Sequence, residues 1–159
     1  MKYNRHLIAV LICILSVNSP NAQSTSNKST LAVLDFEGRG INTLEAATLT
    51  DRFTSEIGKT EVMVLVDRTM VEEILKEQGF QQSGCTTDEC AVEVGAMLGV
   101  QFMISGAIGK LGDTYTIDVK MFSVATGAAE NMQSVSYQGK VDGLITEIEI
   151  LAWTILGLD

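Results

Sequence analysis

The apolar pattern of this chain changes period once after residue 31, and that single change limits the folds open to it. Up to about residue 98, short apolar runs alternate with helical stripes. Beyond that point, strand-like segments follow one another with no helix between them until the last stretch. LAVLDF (31–36) reads as a buried strand bounded by EGRG. Ala46, Leu49, Phe53 and Ile57 then recur at helical spacing between Leu44 and Ile57, with Gly58 placed as a C′ glycine. EVMVLV (61–66) reads as the next strand. Asp67 stands as N-cap to a helix striped by Val71, Ile74, Leu75 and Gln78, with Glu72 and Lys76 at i,i+4 and Gly79 at its end. A third helix spans about 87–98, with Ala91, Val94, Gly95 and Leu98 on one face.

In the second half, QFMISGAI (101–108) and YTIDVKM (115–121) read as strands. The latter alternates cleanly, with Tyr115, Ile117, Val119 and Met121 inward and Thr116, Asp118 and Lys120 outward. ENMQSVSYQ (130–138) is polar enough for an edge. A closing helix over 141–156 turns Val141, Leu144, Ile145, Ile148, Leu151, Ala152 and Ile155 to the core. The order βαβαα, a three-strand meander and a final helix predicts one α/β domain over residues 31–157, a mixed β-sheet with helices packed on it.

Residues 1–22 read as a secretory signal. MKYNRH is a basic n-region, Leu7–Val17 is apolar apart from Ser16, and polar NSPNAQ follows, with cleavage expected after Ala22 and a retained anchor as the alternative. Cys13 follows Ile12 inside the apolar run, so lipidation is not expected there. QSTSNKST (23–30) reads as a disordered polar tether. The expected location is therefore the periplasm, with any membrane association indirect. The chain carries 11 Lys+Arg against 20 Asp+Glu, and cleavage would remove Lys2 and Arg5 as well. So acidic a surface argues against nucleic acid or anionic lipid as partner.

SGCTTDECAV (83–92) holds two cysteines five apart, a spacing compatible with a metal clamp, a redox pair or a staple. Export to an oxidising compartment favours a structural disulfide between Cys85 and Cys90. Zinc needs more ligands than a chain that loses its only histidine, His6, with the signal, and redox pairs are usually Cys-x-x-Cys. With Thr86 as N-cap and Glu89 at N3 of a capping box, the bond would join N′ to N4, as a hydrophobic staple does.

The loss of His6 also removes Ser-His and Cys-His nucleophile pairs, and no catalytic, metal or cofactor residues are predicted. The strongest enzymatic candidate is the Gly38–Thr43 loop, which follows a strand and precedes a helix as a nucleotide-binding loop does. Its third glycine is missing, and Asp35 and Glu37 would face the phosphates, so a plain β–α loop is the favoured reading. On the last helix, Ile150, Trp153 and Leu156 form a second apolar line, read either as deeper burial or as a docking face for another subunit or an envelope protein.

Taken in order, Asp35-Phe36, then Asp67-Arg68 with Ile74, Leu75, Glu77 and Gln78, then Gly95, Leu98, Gly99, Ile104 and Gly106 resemble the CsgG family of curli assembly and transport proteins, over nearly all of residues 31–156. That resemblance implies a fold like the N-terminal domain of TolB and like the lipoprotein activators of peptidoglycan synthases. It also implies a non-enzymatic role in outer-membrane or surface-fibre assembly through contacts with envelope proteins or with further copies of the chain. The turns GKLGD and ATGAA leave no room for barrel hairpins, whose strands need about 9–11 residues. The alternative from the same fold is an activator or scaffold of a peptidoglycan-synthesis enzyme.

Overall fold

A computed structural model describes residues 28–79, 85 and 87–158; the stretch expected to be a signal and most of the expected 23–30 tether lie outside these. Among these residues six strands form one mixed sheet: β1 (Thr30–Val33), β2 (Glu37–Arg39), β3 (Val64–Leu65), β4 (Phe102–Leu111), β5 (Thr114–Ser123) and β6 (Ala129–Gln138). The strand order is β3-β1-β4-β5-β6, with β2 beside the far half of β4. The pairs β1–β3, β1–β4 and β2–β4 are parallel, whereas β4–β5–β6 is an antiparallel meander. Among the described residues four helices accompany the sheet: α1 (Thr43–Thr60), α2 (Arg68–Glu77), α3 (Asp88–Leu98) and α4 (Leu144–Thr154), the last preceded by a 3-10 turn at Val141–Gly143.

The alternation of β5 sorts the core into two layers. Tyr115, Ile117, Val119 and Met121 face α1 and α4, burying Phe53, Ile57, Leu144, Ile148 and Ile155 with them. On the opposite face Ala32, Leu34, Met103 and Phe122 meet Val71, Ala91 and Val94 of α2 and α3. Two glycines permit this packing. A Cβ on Gly95 would lie 2.5 Å from Met103 Cγ, so α3 rests directly on β4. A Cβ on Gly106 would lie 2.9 Å from the Phe36 ring, which itself sits 5.0 Å from the Phe53 ring.

Several local expectations need correction. EGRG does not merely bound the first strand, because Glu37–Arg39 pairs with Ala107–Gly109 as β2. Between β1 and β2 the chain leaves the ladder, and the Phe36 N–H donates instead to buried Thr50 Oγ1 at 3.0 Å. Helix α1 continues past Gly58 to Thr60 and is capped by Glu61 in the left-handed region, since Lys59 pairs with Glu56 and Thr60 Oγ1 donates to Ile57 O. Asp67 caps α2 as its position predicts, accepting from Thr69 N at 2.8 Å, but Glu72 pairs with Arg68 and not with Lys76. Only Val64–Leu65 of EVMVLV is paired strand. On the closing helix, Ile145 is exposed and outside the core.

Candidate functional site: the uncovered half of the sheet

Helices α1 and α4 back one face of the sheet, whereas α2 and α3 cover the other only at its β3, β1 and early β4 end. The remaining half carries Ser105, Ala107 and Gly109 of β4, Thr116, Asp118 and Lys120 of β5, and Met132, Ser134 and Ser136 of β6, placed side by side by the ladder register. Apart from Met132, which is exposed and apolar, these are small or polar residues, and among the described residues no helix covers them. Where this platform meets α2 and α3 it drops into a groove of about 680 Å³ lined by Asp35, Glu37, Arg39, Arg68, Leu75, Cys85, Asp88, Ser105, Asp118 and Lys120.

The charges of the groove are arranged in pairs. Arg68, one residue into α2, holds Asp35 at 2.8 Å and Glu72 at 2.9 Å and also bonds Asp51 on α1. It thereby ties the end of β1 to two helices. Burial pushes the Asp35 carboxyl above its usual range, outweighing the pull of Arg68 in the other direction. Burial works against the Arg68 charge, yet Asp35, Glu72 and Asp51 together hold its pKa above the usual value. Arg39 pairs with Glu37 at 2.6 Å, and its hydrogen bond keeps the Glu37 pKa low. Lys120 reaches from β5 to Asp88 at 3.1 Å, in the first turn of α3, where the helix dipole also favours the carboxylate. Ser134 of β6 donates to Asp118. What remains is a flat, hydrogen-bonding surface with fixed charges, suited to holding a protein surface by polar contacts.

The cysteines stand at the rim of this groove. Their sulfurs lie at bonding distance, 2.16 Å, with the Cα atoms 5.4 Å apart. The N-cap of α3 is Thr87, accepting from Cys90 N at 3.2 Å, one residue later than the expected Thr86, which lies outside the described residues. Cys90 is therefore N3 and Cys85 is N″, so the pair does not coincide with the N′–N4 staple, nor is Glu89 at N3. The Gly38–Thr43 loop is built for a different purpose from phosphate binding. Its start is β2, and Asn42 caps α1 by accepting from Glu45 N at 2.8 Å while Glu45 Oε2 accepts from Asn42 N at 3.1 Å. A phosphate at the helix start would meet an amide already bonded to Asn42 and the Glu45 carboxylate beside it.

Ile150 and Trp153 on α4 are 54% and 42% exposed, whereas Leu156, two residues past its end, is half-buried against the core. Among the described residues no cluster of three or more His, Cys, Asp or Glu is placed to hold a metal, and no helix is long and apolar enough to cross a membrane.

Comparison with known proteins decides between the resemblances that this fold allows. The family model of the peptidoglycan-synthase activator LpoB matches residues 15–133, well over half of the chain. This chain belongs to the LpoB family. The LpoB C-terminal domain from Salmonella enterica superposes with a TM-score of 0.60 at 16% identity, covering 70% of this chain and 84% of that one. Escherichia coli LpoB matches with a TM-score of 0.59 at 16% identity over 70% of this chain and 59% of its own. Lipoprotein GNA1162 from Neisseria meningitidis gives a TM-score of 0.61 at 12% identity, over 81% and 96% of the two chains. No curated protein sequence matches the chain significantly.

The LpoB match overturns the CsgG assignment and, with it, the curli and surface-fibre role as the main reading. The error has a structural cause. Asp35 and Arg68 pair with each other, Asp67 is a helix cap, and Gly95 and Gly106 are close-packing positions. These motif residues hold the α/β fold together, and so report the fold without distinguishing the families built on it. The family is described as that of the peptidoglycan-synthase activator LpoB.

Proposed function

We propose that this protein is a non-enzymatic activator that works in the periplasm, docking on a peptidoglycan synthase through the uncovered half-sheet and its groove. The observation that carries this reading is the LpoB family match over residues 15–133. The N-terminal stretch serves as the export signal, and the Cys85–Cys90 bond holds the groove rim in the oxidising compartment.

In support, the outward residues of this part of the sheet are mostly polar, with Met132 as an exposed apolar contact, and no described helix packs on them. Thr116, Asp118, Met132, Ser134 and Ser136 are all solvent-exposed there. The test is binding of the purified protein to the periplasmic part of the synthase from the same organism, measured by biolayer interferometry. Thr116→Arg or Asp118→Lys lowers affinity by about tenfold or more, since each sets a long cation in the middle of the contact. Thr146→Arg, on the exposed side of α4 behind the sheet, leaves binding unchanged. Equal binding by all three variants would place the contact elsewhere.

A further inference from the structure

The sheet has two unequal edges. At one end β3 offers two residues; at the other β6 offers ten, and among the described residues nothing pairs with its outer side. Just past the Thr114–Gln138 pair, Gly139 N donates to Asp113 O at 3.2 Å, and this bond sets the phase of the β5–β6 ladder. Hydrogen-bonded and non-hydrogen-bonded pairs alternate along an antiparallel ladder. Asn131, Gln133, Val135 and Tyr137 therefore turn their backbone groups toward β5. Met132, Ser134, Ser136 and Gln138 turn theirs outward, into solvent.

Exposed edges are usually guarded by lysine, proline, an inward-pointing charge or a bulge. β6 has neither lysine nor proline, its one charge is Glu130 near its start, and the register shift sits at that same end, at Met121/Phe122. The rest of the strand is unguarded over about 24 Å, at roughly 3.4 Å per residue.

We infer that β6 pairs antiparallel with β6 of a second copy of this chain, joining the two sheets across a two-fold axis. Like edges must meet, because β3 is too short to complement β6; copies cannot chain head to tail, and the contact closes as an isologous pair. Charge points to the same place. The chain carries 20 carboxylates, yet β6 holds only Glu130, so copies brought together along this strand set the fewest like charges against each other. Ile150 adds an apolar flank. It is exposed and lies one helical turn from Thr154, whose carbonyl accepts from Asn131 Nδ2 of β6 at 3.3 Å. This inference stands independently of the synthase reading.

Sedimentation velocity and residue-resolved amide exchange on the purified protein test it. The expected result is a dimer at high concentration, in which the amides of Met132, Ser134, Ser136 and Gln138 become protected together as the dimer forms. Those of Gln133, Val135 and Tyr137 are protected at every concentration. Ser136→Pro removes an outward N–H without touching the ladder to β5, and gives a folded monomer. Ser136→Lys does the same by guarding the edge with charge, and covers the case in which proline disturbs folding. A monomer at every concentration overturns the inference, as does a dimer that survives both substitutions. Protection of the outward amides only on adding an unlike envelope protein overturns it too, by assigning the edge to that partner.

Discussion

Gly58 and Gly95 both lie inside helices, where exchange for alanine ordinarily stabilises by about 1 kcal/mol because the unfolded chain loses freedom. Their surroundings differ. A Cβ on Gly58 meets only Leu65 Cδ2 at 3.8 Å, an ordinary contact, so Gly58→Ala should stabilise by close to that full amount. At Gly95 the new carbon would lie 2.5 Å from Met103 Cγ and 2.6 Å from Val124 Cγ2. Met103 is fully buried and Val124 is stiff at its branched Cβ, so neither can retreat without moving α3 off the sheet. Overpacking of this kind costs about 1–3 kcal/mol, and two simultaneous clashes place it near the top of that range. After the propensity gain, Gly95→Ala should destabilise by about 2 kcal/mol, leaving the two variants about 3 kcal/mol apart. For a domain of this size that separates their melting temperatures by roughly 10 °C. Urea unfolding with matched m-values gives the free energies directly. Two stabilising substitutions would refute the direct seating of α3 on β4, and with it the shape of the groove that α3 borders.

Opening the Cys85–Cys90 link by reduction, or by Cys85→Ser with Cys90→Ser, should lower stability by about 2 kcal/mol, the loop-closure entropy of so short a ring. Unfolding curves with and without reductant measure it, and mass mapping that finds two free thiols in periplasmic protein would remove its basis. Arg68→Ala leaves Asp35, Asp51 and Glu72 facing one another, and should cost about 1 kcal/mol, less in high salt because the partners are partly exposed. Two carboxylates should titrate in opposite directions by NMR. Asp35 has a midpoint above 3.8 because burial outweighs Arg68, and Glu56 one below 4.5 because Lys59 donates to it, against the opposing effect of burial. The Glu56 contribution to stability is complete above the unfolded pKa and is lost as pH falls through its lowered folded value. The Asp35 charge instead opposes folding above its raised folded pKa, and that penalty is relieved as pH falls through the window down to 3.8. An Asp35 midpoint below 3.8, or a Glu56 midpoint above 4.5, would contradict the contrast in their surroundings.

Local patterns carried the fold far. The alternation in β5 placed four core residues on the correct face, and Asp67 was legible as a cap because a short acidic side chain before a helical stripe satisfies an orphan amide. What local pattern could not carry was pairing between distant segments. β2 is three residues containing glycine and two charges, and is a strand only because β4 extends beside it. The N-cap of α3 fell one residue later than expected because two adjacent threonines offer the same chemistry. The candidate site was half visible. Alternation alone turns Thr116, Asp118 and Lys120 outward, but whether a helix covers them depends on where α2 and α3 end over the sheet. Resemblance failed for a related reason: the residues that suggested CsgG maintain a fold that LpoB shares.

Stimulation of glycan-chain synthesis is the decisive measurement for an activator of this family. Lipid-linked precursor is supplied to the peptidoglycan synthase of the same organism, with and without the purified protein, and the polymerisation rate is followed. The expected result is a saturable rise in rate that is lost in Thr116→Arg and retained in Thr146→Arg. A rate that does not change at saturating protein, with the wild-type chain folded, would contradict it.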